Sequence, residues 1–207
     1  MNGRWETSRL EAFSDGVLAI AITLLVLEIS VDPAGYDHLW RALGNEWPSY
    51  LAYVTSFLTI GGVWLAHHAL FSRLRLVDSV LLRLNLLLLM VVAFLPFPTA
   101  LIAEALRAGD GERAAVVVYG VTSGVIELLM ASANRYVARN PDLLAEGASK
   151  PRLEPRRGGL RATLYGLGLL LGLLLFPRLA AFGYFVVAAL AVLSPRGEVR
   201  LTLGSFR

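Results

Sequence analysis

Predominantly apolar runs of about 20 residues, the first from Leu10 to Ile29, constrain this chain more than any other feature. A bilayer core about 30 Å thick is crossed by roughly 20 apolar residues in a helix, which satisfies its backbone polar groups internally. Charged residues make up 17% of the chain and cluster between the apolar runs; soluble domains carry about 25%. The connections between runs are short. Residues 1–207 are therefore read as a single all-α transmembrane domain.

Six spans are expected, at about 10–30, 48–71, 80–106, 114–137, 160–176 and 179–193. Asp32-Pro33 closes the first. A polar loop, Asp37 to Glu46, leads to the second. Arg73-Leu74-Arg75 is a short basic turn. Pro96-Phe97-Pro98 should kink or locally end the third span, because proline removes a backbone donor. A polar stretch from Arg139 to Arg157 reads as a loop. The apolar block Leu160–Leu193 would approach 50 Å as one helix at about 1.5 Å per residue, and Pro177-Arg178 divides it in two.

Arg4 and Arg9 before the first run imitate a signal peptide. The run exceeds the roughly 7–15 residues of such an apolar region and contains Ser14 and Asp15, so it is read as a retained first helix. With both termini in the cytoplasm, only Arg41, Arg107, Arg113 and Arg178 of the 19 basic residues fall outside. That asymmetry obeys the positive-inside rule and puts both termini in the cytoplasm. It also gives the net charge of +3 a topological reason, so nucleic acid is not an expected partner. The outer segments carry Asp32, Asp37, Glu46, Glu104, Asp110 and Glu112, a negative mouth that would concentrate cations.

The chain has no cysteine, so disulfides, thiol catalysis and cysteine metal sites are excluded. There is no Gly-rich phosphate loop, nucleophile elbow or carboxylate pair at catalytic spacing. No enzyme and no cofactor is indicated, and no inverted repeat suggests a transporter.

An acid inside a span is costly and faces protein or water rather than lipid. On the first helix Ile20, Thr23, Leu24 and Leu27 form one stripe. Asp15 lies roughly 140° from Ile20, and Ser14 about 120°. The stripe therefore meets lipid, the core or a symmetry axis, while the polar pair meets something else. In the second span Trp64, His67 and His68 are three and four residues apart and so are expected to share a face, with Gly61 and Gly62 allowing a close helix approach. Adjacent histidines point about 100° apart and no third ligand sits at metal spacing, so no metal site is expected. Asn85 is a candidate interhelical partner. Glu127 in the fourth span is either a proton-relay group or a partnered structural acid.

Arg9, Phe13, Ser14, Asp15 and Gly16, followed by Ala19-Ile20 and Thr23-Leu24-Leu25-Val26-Leu27-Glu28-Ile29, resemble the first helix of bacterial members of the transmembrane protein 175 potassium-channel family. The shared signature is Arg-x-x-x-Phe-Ser-Asp. Trp64-x-x-His67-His68 and Asn85 match that family's second-helix and third-helix residues. The resemblance implies six helices per subunit and a homotetramer in the bilayer, with the first helix lining a pore for potassium ions. It implies a hydrophobic gate of Ile20, Leu24 and Leu27, in which aliphatic side chains exclude water, with Thr23 contributing potassium preference. No Thr-Val-Gly-Tyr-Gly filter is present. It further implies a network of Arg9, Phe13, Ser14, Asp15, Trp64, a histidine (His67 or His68) and Asn85 that orients the pore helix. The alternative from the residues alone is proton-coupled or proton-conducting transport through Asp15, the histidines and Glu127.

Overall fold

The structure, a computed structural model, describes residues 5–31, 33–148 and 177–193. Helix α1, Thr7–Leu24, is prolonged by a 3₁₀ turn, Leu25–Glu28. A second 3₁₀ segment, Pro33–His38, leads into α2, Leu39–Asn45. The long helix α3 covers Trp47–Phe71, with Pro48 in its first turn, where a missing N–H costs nothing. Then come α4, Ser79–Phe94, α5, Pro96–Ala108, and α6, Glu112–Arg139. The last described helix is α7, Pro177–Leu193.

Among the described residues, four helical stretches are long and apolar enough to cross a membrane: Thr7–Glu28, Trp47–Phe71, Ser79–Ala108 and Glu112–Arg139. A shorter apolar helix covers Arg178–Leu193. The expected span at 160–176 lies outside the described residues. The third stretch breaks at Leu95, as its prolines require. Pro96 and Pro98 donate nothing to the preceding turn, and Thr99 Oγ1 donates to the Leu95 carbonyl at 2.8 Å.

The expected loop between Asp37 and Glu46 is instead largely helical. Leu39, Arg41, Ala42 and Leu43 are good helix formers, and their local preference prevails over the polar flanks. The basic turn is also more ordered than its composition suggests. Leu74 is buried and bridges Leu144, and Arg75 N donates to the Leu143 carbonyl at 2.9 Å. Two short strands, β1 (Trp5–Glu6) and β2 (Leu76–Val77), pair antiparallel beside it.

Helix α3 is central, packing on α1, α5, α6 and α7, while α4 packs on α1 and α6. A Cβ on Gly62 would sit 3.5 Å from Ala191 Cβ on α7, so the small residue permits the close approach; Gly61 faces open space. One apolar core runs through Leu18, Ala21, Ile60, Val92, Ile102 and Tyr119. A second, of Leu70, Leu74, Leu81, Ala133, Val137 and Leu143, closes the end that carries the basic turn.

At the opposite end, two of the acids expected to form an open mouth are engaged inside the subunit. Glu46 Oε2 accepts from Arg107 Nη2 at 2.7 Å and from Ser49 Oγ at 2.9 Å. Glu112 Oε1 accepts from Arg178 Nε at 2.8 Å. Arg107 and Arg178, both expected on the outer side, are thus neutralised by acids expected there. The Glu46 carboxylate is buried, so losing its partner leaves a charge without water. Arg107→Ala should lower the melting temperature of detergent-purified protein by several degrees. Adding Glu46→Gln should recover part of that loss. A single variant that melts like the parent would show that the pair holds nothing.

Candidate functional site: a polar clasp behind an uncovered helix face

Helix α1 has two faces that meet different surroundings. Toward α3 and α4 it presents Ser14, Leu18, Ala21 and Leu25, all buried. Away from them it presents Ile20, Leu24 and Leu27, exposed by 61%, 41% and 72%, with Thr23 also exposed. The 3₁₀ turn aligns side chains three apart, so Leu27 returns to the bearing of Leu24.

The buried face is held by a directed hydrogen-bond chain. Ser14 Oγ donates to the Leu10 carbonyl at 2.8 Å and accepts from Asn85 Nδ2 at 2.9 Å. The other end of the Asn85 amide, Oδ1, must then accept, and it lies 2.8 Å from His67 Nε2. Nε2 therefore carries the ring proton. The second nitrogen, Nδ1, is buried with no hydrogen-bond partner among the described residues, and the ring stacks on Phe71 with centroids 4.1 Å apart. Three helices, α1, α3 and α4, are joined through this chain, with Ser14 and His67 both 0% exposed.

A second, more exposed pair of contacts flanks it. Trp64 Nε1 donates to Asp15 Oδ1 at 2.9 Å. His68 Nδ1 lies 3.3 Å from Glu11 Oε1, and its ring stacks on Trp64. Trp64 and His68 thus share one face of α3, four residues apart, while His67 turns inward; the three do not act as one set. Glu127 is half-buried and partnered.

Arg9 and Phe13 stand apart from the network in which they were expected. Both are exposed, and both lie within about 20° of Ile20 on the helix wheel. With Gly16 they extend the uncovered stripe toward the N-terminus: Arg9, Phe13, Gly16, Ile20, Leu24, Leu27. They adjoin Ser14 and Asp15 in the sequence but take a different bearing, because consecutive residues on a helix face different ways.

Two polar clusters join residues that nothing in the sequence marks as partners. The Glu46–Arg107 pair, in which only Glu46 is buried, is one. The other joins α3, α5 and α6: Ser56 Oγ lies 2.6 Å from Thr99 Oγ1 and 3.2 Å from the Tyr119 hydroxyl, which is 3.3 Å from Thr59 Oγ1. The i, i+3 spacing of Ser56 and Thr59 was the signal available for it. Among the described residues, no three His, Cys, Asp or Glu side chains are grouped to hold a metal ion.

A family model described as the endosomal/lysosomal potassium channel TMEM175 matches residues 9–96, which contain the whole clasp. A potassium channel of Streptomyces collinus is 46% identical over 164 residues, 79% of each chain. The bovine endosomal/lysosomal proton channel TMEM175 is 45% identical over 97 residues, 42% of this chain and 20% of the bovine protein. Among solved structures, a lysosomal potassium-selective channel TMEM175 homologue from Chamaesiphon minutus is 35% identical. It superposes with a TM-score of 0.79, covering 90% of this chain and 96% of that one.

Proposed function

The chain belongs to the TMEM175 channel family, and from that membership we propose a potassium-permeable cation channel assembled from four copies. The subunit has six membrane helices, with both termini in the cytoplasm of a bacterium and the chain in its inner membrane. The first helices of the four copies line the pore. The observation that carries this reading is the two-faced α1, whose inner face is clasped by hydrogen bonds while its aliphatic stripe is exposed.

Four copies of that stripe around an axis form rings of Ile20, Leu24 and Leu27. An ion stripped of water among aliphatic side chains is strongly disfavoured, so the rings close the pore by dewetting. Opening requires the helices to rotate or part. The Thr23 hydroxyl donates to the Ile20 carbonyl at 2.8 Å, which leaves oxygen lone pairs to face a cation. Thr23→Val keeps the shape and removes those lone pairs, so it should reduce the potassium-over-sodium permeability ratio severalfold in bilayer recordings. An unchanged ratio would remove Thr23 from selectivity.

Proton conduction is the second reading, favoured by the name of the bovine relative. Reversal potentials of purified protein in liposomes separate the two. Currents that reverse at the potassium equilibrium potential support the channel proposed. Currents that follow the proton gradient and ignore potassium overturn it.

A further inference from the structure

Some arginines of this subunit are paired with acids and others are not. Arg107 and Arg178, at one end, are paired with Glu46 and Glu112. At the other end Arg83, Arg135 and Arg139 are exposed, and none of them pairs with an acid among the described residues. The acids nearest them in sequence are engaged. Asp78 caps α4 by accepting from Val80 N and Leu81 N, and its Oδ2 accepts from the Tyr136 hydroxyl; Asp142 has a partner of its own.

The three arginines also stand at a particular place on their helices. On α4 the outward residues Phe94, Met90 and Leu87 form a stripe at helical spacing, and Arg83 continues it four residues on. On α6 Val121, Val125 and Leu128 form such a stripe, and Arg135 and Arg139 continue it. The two helices pack against each other. The Asp78–Tyr136 hydrogen bond sets the start of α4 beside the end of α6, and Leu81, Ala133 and Val137 pack together there. Both apolar stripes therefore turn to arginine at the same end of the pair. Arg83 Nε donates to the Ser79 carbonyl at 3.0 Å, which draws its guanidinium toward the helix start and leaves both Nη groups available.

An apolar surface bordered by unpaired guanidinium groups matches an acyl chain below a phosphate. We propose that Arg83, Arg135 and Arg139 form a binding site for the phosphate of an anionic phospholipid, whose chains lie along the outer faces of α4 and α6. That this is the cytoplasmic leaflet rests on the topology given above; the site itself does not depend on the pore.

The test is a thermal-shift titration of the full-length protein in neutral detergent. The probes are short-chain phosphatidylglycerol, phosphatidylcholine of the same chain length, and inorganic phosphate. Phosphatidylglycerol should raise the melting temperature saturably, and the other two should not. Each Arg→Gln change among the three should weaken phosphatidylglycerol by roughly fivefold, and all three together by roughly a hundredfold. Arg113→Gln, an exposed arginine at the far end of α6, should leave it unchanged. If the triple variant does not fold, R83Q and R135Q alone decide. Equal shifts from the two lipids, full affinity in the variants, or a shift by inorganic phosphate alone would each overturn the proposal. Because the readout is binding, its failure is distinct from failure of potassium conduction.

Discussion

Ile20→Asn should raise potassium flux through liposomes carrying the protein by about an order of magnitude or more, and Ile20→Ala should raise it by less. The asparagine ring keeps most of the bulk but offers hydrogen-bonding groups to water, so the constriction stays wet. Alanine widens the ring without making it polar. The order of the two variants therefore separates dewetting from simple steric closure: a purely steric gate would open more for alanine. The change should cost little stability, because Ile20 is 61% exposed in its own subunit. Unchanged flux in both variants would remove Ile20 from the gate.

Asn85→Leu should be the most damaging single change among the polar residues. It removes the donor to Ser14 and the acceptor for His67, leaving a buried imidazole N–H with nothing to bond. An unsatisfied buried polar group costs about 1–3 kcal/mol. Ser14→Ala removes the other end of one bond and strands the Asn85 amide instead. The double variant strands only the His67 N–H, so its loss of stability should match that of Asn85→Leu alone rather than the sum of the two. Potassium flux should fall in all three variants, because α1 loses the contact that fixes its rotation. Additive losses in melting temperature, with normal flux, would show that the chain of bonds does not act as a unit.

The parts legible from sequence were those written in local spacing. Ser14 and Asp15 are unusual inside an apolar run, and their angle to Ile20 follows from helix geometry alone. The proline break after Leu95 was legible for the same reason. What eluded the sequence was set by contacts between distant elements. Two adjacent histidines present the same letters; only the rotation of α3, fixed partly where Gly62 meets Ala191, turns His67 inward and His68 toward Glu11. Glu46 and Arg107 are 61 residues apart, and nothing local marks them as partners. The strands at Trp5–Glu6 and Leu76–Val77 are too short to show alternation. The α2 segment was hidden by its charged flanks. Arg9 and Phe13 adjoin Ser14 and Asp15 in the motif, yet the helix turns them to a different, exposed face.

The absence of cysteine provides a direct test of the central claim, that α1 turns its stripe toward copies of itself around an ion path. Single cysteines at Ile20, Leu24 and Leu27 can be compared with one at Leu128, which is about as exposed as Ile20 but on α6. Mild oxidation in membranes should link the α1 cysteines between copies, and a small thiol-reactive cation should block potassium flux through those variants only. Leu128→Cys should do neither. Crosslinking and block at Leu128 with neither on α1 would place the lining of the pore elsewhere.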